Sequence, residues 1–314
     1  MESVLVEPSD PYDDEPVPLD ESRWLDADDE TARRVAADLD YGTRFRLLDS
    51  ITPVQKAFLD LHGFILFARV ATPGEVAMVL SEMERVQRQL LDSGQRRVFG
   101  VPVWFGAGPD GEPCLQRMGF ASVLSEAIGT FVRDERFTPV ASLIGEGARV
   151  GDREKDGVVY NCYVQAEGSI RPGLGWHTDA LRDVLYNWAP PGPMLNVGLH
   201  FDRIRPEDGG LRVLPGTHEQ GVLSTLFRKL HFWSTAPDPE EVMIETWPGD
   251  LTVHDGRMWH RVEPSPHVGQ RSFRRSMYVP YVIDAYQPKD EQSKTPIYLA
   301  AYDMVLRWRS KLRA

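Results

Sequence analysis

After residue 155 the chain reads as a succession of short apolar runs cut apart by glycine and proline: VVYNCYVQ, MLNVGLHFDRI, LRVLPG, DLTVHDG and FRRSMYVPYVI. Most of these runs have no helix-length segment between them. Several short strands at this spacing predict a sandwich or barrel.

The part before residue 155 has another texture. In ITPVQKAFLDLHGFILFARVATPGEVAMVLSEMERVQRQLLDSG the spacing predicts a short helix, a strand over 63–67 and a long helix from about Pro73 to Leu91. Thr72 is a good N-cap, Pro73 suits the first helical position, and Glu75 completes a capping box. VPVWFGAGPDGEPCLQRMGFAS predicts a hairpin turning at 108–111, SVLSEAIGTFVRDERF returns to helical spacing, and a last helix is expected over Pro296 to Leu312. The segment at about 217–246 interrupts the strand pattern and is expected to be an insertion or lid. The class read from this organisation is mainly β with flanking helices.

At 314 residues, 42% hydrophobic and 26% charged, the chain can bury a sizeable core. The formal net charge of -12 is uneven, because the first 40 residues hold 14 Asp and Glu against three Arg, leaving the remainder close to neutral. Residues 1–40 are therefore expected to be largely disordered, with a single domain over 41–314. A neutral body carries no footprint for nucleic acid, and no apolar run is long enough for a membrane span. Cys114 and Cys162 alone suit a reducing cytoplasm without a disulfide framework. Oligomeric state is left open.

The stretch GLGWHTDALRD holds His177 and Asp179 one residue apart after a glycine-rich approach. In extended backbone, residues i and i+2 point to the same face, so both could grip one ion. Two imidazoles and one carboxylate on one face of an octahedron are the ligand set of non-heme iron(II) oxygenases. The third donor must come from a distant strand, and His260, at the end of GDLTVHDGRMWH, is the candidate. Arg274 and Ser276 follow on one face of a later strand, where a guanidinium fork and a hydroxyl would clamp the distal carboxylate of 2-oxoglutarate.

Taken in order, WHTD, PEDGGLRVLPGTH, GDLTVHDGRMWH and FRRSMYVPY resemble the phytanoyl-CoA dioxygenase family of iron(II)/2-oxoglutarate oxygenases, over about Gly63 to Pro280. The resemblance implies a double-stranded β-helix, a jelly roll of the cupin kind. It also implies His177, Asp179 and His260 as iron ligands, Arg274 as the 2-oxoglutarate residue, and dioxygen as co-substrate. A shorter family spacing from the distal His would favour Arg271, but FRRSMYVPY matches the family strand and favours Arg274. By the same alignment Asn161 and Gln165 of YNCYVQ touch the cosubstrate. His200 of the second His-x-Asp, His218 and His254 are expected to be no ligands, His254 supporting the ligands or packing beside them.

The function so implied is oxidation, foremost hydroxylation, of a small organic molecule, of the kind found in secondary metabolism, with release of succinate and CO2. Pocket-wall candidates are Tyr186, Trp188, Phe232 and Trp233, whose aromatic character, beside cations such as Arg228 and Lys229, suits a polycyclic or acidic substrate. Two rivals use the same barrel: a zinc hydrolase, since two His and a carboxylate also suit zinc, and a non-catalytic binding protein.

Overall fold

The computed structural model describes residues 10–181, 192–283 and 286–313. Its α-helices are α1 (Asp29–Asp38), α2 (Pro53–His62), α3 (Pro73–Ser93), α4 (Ala121–Leu124), α5 (Glu126–Phe131), α6 (Thr138–Ser142), α7 (Val222–Phe227) and α8 (Ile297–Arg313). Its first strands are β1 (Arg44–Phe45), β2 (Phe64–Phe67), β3 (Arg97–Val98), β4 (Val101–Pro102), β5 (Trp104–Ala107), β6 (Pro113–Met118) and β7 (Arg149–Val150). The barrel strands follow as β8 (Val159–Tyr163), β9 (Leu174–His177), β10 (Met194–His200), β11 (Gly210–Val213), β12 (Val242–Met243), β13 (Leu251–Asp255), β14 (His260–Glu263) and β15 (Arg274–Val282).

Helix boundaries follow their local chemistry. Thr52 and Thr72 each close a capping box, with Gln55 and Glu75, and Pro53 and Pro73 occupy the first helical position. Gly63 and Gly94 end these helices with φ of 81° and 67°, values that cost glycine little.

Among the described residues the larger sheet has the order β1-β2-β13-β10-β15-β8-β6-β5, with β7 also on β15, and the smaller has β12-β11-β14-β9. From β8 onward the chain passes repeatedly between them: β8, β10, β13 and β15 belong to the larger sheet, β9, β11, β12 and β14 to the smaller. Pairing within this set is antiparallel. This is the double-stranded β-helix.

Alternation along the larger sheet separates core from cavity. Tyr160 and Cys162 of β8, Leu195, Val197 and Leu199 of β10, Leu251 and Val253 of β13, and Met277, Val279 and Tyr281 of β15 join one buried apolar cluster with Val76, Val79, Met83, Val86 and Leu90 of α3. Their alternates face the other way: Asn161 and Tyr163, Asn196 and His200, Thr252 and His254, Arg274, Ser276 and Tyr278. A barrel interior this polar is a ligand site rather than a second core. Gly198 is needed there, because a Cβ would meet the Tyr278 ring at 2.4 Å.

Two expectations are corrected. The acidic segment before residue 41 is ordered from Asp10 onward: α1 buries Ala32 and Ala36, and the acids meet arginines carried by the barrel's own strands and loops. Glu15 pairs with Arg44 at 2.7 Å and with Arg69, Arg44 continues to Asp250 at 2.6 Å, and Asp14 meets Arg203 at 2.9 Å. Composition alone reads this charge as solvated, because the partners come from as far along the chain as Arg203 and Asp250. Likewise the insertion does not run to residue 246, since Val242–Met243 is β12, an edge strand paired with β11. Among the described residues no helix is long and apolar enough to cross a membrane.

Candidate metal centre

Strand β9 ends at His177, β14 begins at His260, and the register sets the two residues directly opposite each other. Their ring centroids lie 4.1 Å apart. Asp179 follows two residues after His177, with its Oδ2 3.8 Å from His260 Nε2. One donor atom from each of the three side chains lies within 4.8 Å of the others.

Backbone carbonyls fix which nitrogen faces inward. His177 Nδ1 donates to the Gly175 carbonyl at 2.9 Å, and His260 Nδ1 donates to the Met258 carbonyl at 3.1 Å. Each ring is thereby held in the tautomer whose Nε2 lone pair is free for a metal. Burial keeps both neutral: it pulls His177 well below its ordinary pKa, with His260 adding to it, and His260 down to about 4.

The carboxylate is held from the opposite sheet. Asn196 Nδ2 of β10 donates to Asp179 Oδ2 at 2.8 Å, and His254 Nε2 of β13 donates to the same oxygen at 3.3 Å. Asn196 and His254 are register partners, so one rung of the larger sheet carries both supports. Burial works against ionisation of Asp179, but the imidazoles of His260, His254 and His177 hold its carboxyl far below the ordinary range. Two neutral imidazoles and one ionised carboxylate on one side of a cavity fit a divalent metal.

The cavity beside the triad is lined by Asn161, Tyr163, Arg171, Tyr278, Phe232 and Tyr302, among others. Two guanidiniums flank the Tyr163 ring, Arg171 at 4.7 Å and Arg274 at 5.9 Å from its centroid. Arg274 is 5% exposed and donates to the carbonyls of Pro172 at 2.7 Å, of Ser272 at 3.4 Å and of Glu263. Burial lowers its pKa to about 10, which leaves it cationic at neutral pH.

The far wall is built by the insertion. Phe232 N donates to the Trp176 carbonyl and Trp176 N to the Ser234 carbonyl, both at 2.8 Å, zipping the segment onto β9. Gly175 permits this approach, since a Cβ there would meet the Phe232 carbonyl oxygen at 2.6 Å. Phe232 is held at φ 63°, and its ring lies 5.1 Å from that of His177. Tyr302 of α8 stands 5.3 Å from Phe232 and 5.4 Å from Trp104, completing an aromatic rim.

Of the residues named from sequence, His177, Asp179 and His260 come together, and Asn161 and Phe232 line the same cavity. Arg274 and Ser276 point to the same side of β15 but are not among the lining residues, and Gln165 lies beyond the end of β8, its backbone NH bonded to Ser272 Oγ at 2.9 Å. Arg271 is exposed on the outside, 3.9 Å from Asp208. Trp233 is 57% exposed and not among the lining residues, while Tyr186 and Trp188 lie outside the described residues. His200 bonds Thr252 at 2.9 Å and His218 bonds the Asp60 carbonyl at 3.1 Å. Sequence reading missed Arg171, Asn196 and Tyr302. A lone Asn in the apolar run MLNVGLH was a signal, but Arg171 in SIRPGLG and Tyr302 carried none.

Residues 59–268 match the family model described as phytanoyl-CoA dioxygenase. Among curated proteins, the ectoine dioxygenase of Bordetella parapertussis is 24% identical over 183 residues, 56% of this chain and 53% of the relative. The match thus spans about half the length of that protein. Among solved structures, EctD from S. alaskensis with 2-oxoglutarate and 5-hydroxyectoine gives a TM-score of 0.56 at 17% identity, covering 79% of this chain and 83% of that one. HygX from Streptomyces hygroscopicus with nickel and 2-oxoglutarate bound gives 0.55 at 17%, covering 80% and 94%. The epimerase SnoN from nogalamycin biosynthesis gives 0.55 at 18%, covering 78% and 86%. At these identities the structural likeness speaks for the fold alone.

Proposed function

Because the chain belongs to the phytanoyl-CoA dioxygenase family, we propose that it is an iron(II)- and 2-oxoglutarate-dependent dioxygenase that oxidises a small organic molecule. The observation that carries this reading is the register pair His177–His260 with Asp179 beside it, opening onto a cavity walled by buried cations. In this reading His177 Nε2, His260 Nε2 and an Asp179 oxygen hold the metal. Iron(II) bound there, with 2-oxoglutarate and dioxygen, supplies oxidation of a C–H bond while the keto acid leaves as succinate and CO2.

The chain's own residues orient and protect. Asn196 and His254 keep the Asp179 carboxylate turned toward the imidazoles, and the carbonyls of Gly175 and Met258 prevent either ring from flipping. Arg274, a buried cation with no acidic partner among the described residues, is the best candidate for the free carboxylate of 2-oxoglutarate, with Ser276 and Asn161 beside it on β15 and β8. Phe232 and Tyr302 cover the mouth and exclude water during oxidation. The ectoine dioxygenase relative and the epimerase neighbour from nogalamycin biosynthesis support a small-molecule substrate of secondary metabolism. A zinc hydrolase would use the same three donors but has no need of buried guanidiniums.

The test is direct. Purified protein should convert 2-oxoglutarate to succinate only when iron(II) and oxygen are both supplied, and more quickly with its substrate present. Zinc-supported hydrolysis without succinate would replace this reading with the hydrolase.

A further inference from the structure

The cavity is lined by a buried guanidinium, Arg171, to which the dioxygenase reading gives no role. Arg171 is 2% exposed, and every partner it has among the described residues is neutral. Its Nη1 donates to the Gln116 carbonyl at 3.2 Å and to Asn161 Oδ1 at 2.8 Å, which occupies both hydrogens of that nitrogen. Nη2 donates once, to the Tyr163 hydroxyl at 3.0 Å, and Nε is buried without a partner. One N–H on Nη2 and the N–H on Nε therefore remain, and with Tyr163 on the outer Nη2 hydrogen they would form the side edge of the guanidinium, the geometry that takes a carboxylate through two parallel hydrogen bonds.

The site is built rather than accidental. Gln116 Oε1 accepts from the backbone N–H of Ile170 and of Arg171, each at 3.0 Å, and this pins the loop that carries the arginine. Trp104 lies 5.2 Å from the guanidinium carbon. Arg117, the other arginine of the cavity, already pairs with Asp156 at 2.7 Å. A buried cation without a counter-ion is costly, and a ligand that brings the negative charge relieves that cost.

The free end of 2-oxoglutarate calls for one guanidinium, and Arg274, across the Tyr163 ring, is there for it. Arg171 instead stands next to Trp104, from which Tyr302 and Phe232 continue the aromatic rim. We propose that the organic substrate is an acid, an aromatic or similarly flat carboxylate, and that Arg171 receives its carboxylate at the side edge while the rim holds its apolar part. This rests on the dioxygenase reading, since it assigns the second of two cations after the cosubstrate takes the first. Arg171 is a specificity-determining residue in this account.

The experiment compares acids with their neutral amides. Full-length protein loaded anaerobically with iron(II) and 2-oxoglutarate is titrated calorimetrically with benzoate and 2-naphthoate, then with benzamide and 2-naphthamide. The acids should bind about tenfold tighter or more, as a two-point charged hydrogen bond requires. Arg171→Gln should erase that preference, Arg171→Lys should keep part of it, and 2-oxoglutarate affinity should stay within about threefold in Arg171→Gln while dropping in Arg274→Gln. The wild-type comparison needs no variant, so a misfolded Arg171→Gln cannot rescue the idea. Equal affinity for acid and amide, including no binding of either, overturns it. So does an acid preference that survives in folded Arg171→Gln, or 2-oxoglutarate binding that depends on Arg171 and not on Arg274. A protein that neither binds 2-oxoglutarate nor releases succinate overturns the parent reading instead, and the acid and amide titrations of metal-free protein still report on Arg171.

Discussion

The two sheets of the barrel divide the site between them. The smaller sheet presents the imidazole donors, His177 and His260, as one register pair whose ring orientation is set by backbone carbonyls. The larger sheet presents side chains that act on other side chains: Asn196 and His254 on Asp179, and Asn161 and Tyr163 on Arg171. Donor geometry therefore follows from strand pairing. Recognition rests on contacts that one substitution can retune, which is how one fold serves many substrates.

The largest effect should come from the smaller sheet's corner. Asp179→Ala removes one of three donors, and succinate formation should fall by about a thousandfold or more, with iron(II) affinity lost in the same variant. Arg274→Gln, on the larger sheet, should leave iron(II) binding intact and raise KM for 2-oxoglutarate by about tenfold to a hundredfold, the worth of one charged hydrogen bond. Steady-state kinetics beside metal titration separates the two. If Arg274→Gln lost the metal, or Asp179→Ala kept its turnover, the division between sheets would be wrong.

Asn196→Ala tests the seam between them. Asp179 stays in place but loses the 2.8 Å bond that aims it, so iron(II) affinity should weaken by about tenfold to a hundredfold while KM for 2-oxoglutarate hardly moves. An affinity equal to wild type would mean that His254 alone orients the carboxylate.

The same division explains what could be read from the sequence. His177 and Asp179 are legible because strand alternation puts them on one face, and His260 because the ordered motifs that resemble the family single it out among the other histidines, which a His-x-Asp alone does not do. Asn161 is named from the family resemblance of YNCYVQ together with Gln165, and of the two only Asn161 lines the cavity, because β8 ends at Tyr163. Arg171 was not legible, because it lies on the loop between β8 and β9, where no periodicity says which way a side chain points, and its anchor Gln116 comes from another strand. The acidic segment was misread because its arginine partners come from β1 and from loops far along the chain. Trp233 is named with Phe232 because both stand in one aromatic segment, whereas only Phe232 lines the cavity. The backbone turn at Phe232 sends one ring inward and leaves the next exposed.

Phe232→Ala is expected to have a smaller effect. The ring that covers His177 and meets Tyr302 would be gone, leaving the donors untouched and the mouth open. Succinate formed without substrate oxidation should rise severalfold, with iron(II) affinity unchanged. Comparing succinate with oxidised product measures it, and an unchanged ratio would remove the lid role from this residue.

The smallest effect concerns acid, and it separates the sheets once more. Burial depresses His200 of the larger sheet to about 3 and His260 of the smaller to about 4, both from an ordinary value near 6.5. Between those limits the folded protein binds fewer protons than the unfolded chain, so the stability these neutral rings contribute is complete above about 6.5 and drains away as pH falls. Metal-free protein should therefore hold its Tm down to about pH 7 on this account and lose it progressively from there to pH 5. His200→Gln keeps a hydrogen-bonding group near Thr252 but cannot titrate, so its Tm should fall by a few degrees less over the same range. Added divalent metal competes with protons at His260 and not at His200, and should raise Tm most at the upper end of the range in wild type and variant alike. Parallel pH curves for wild type and His200→Gln would show that the larger sheet's histidine is not held neutral by burial.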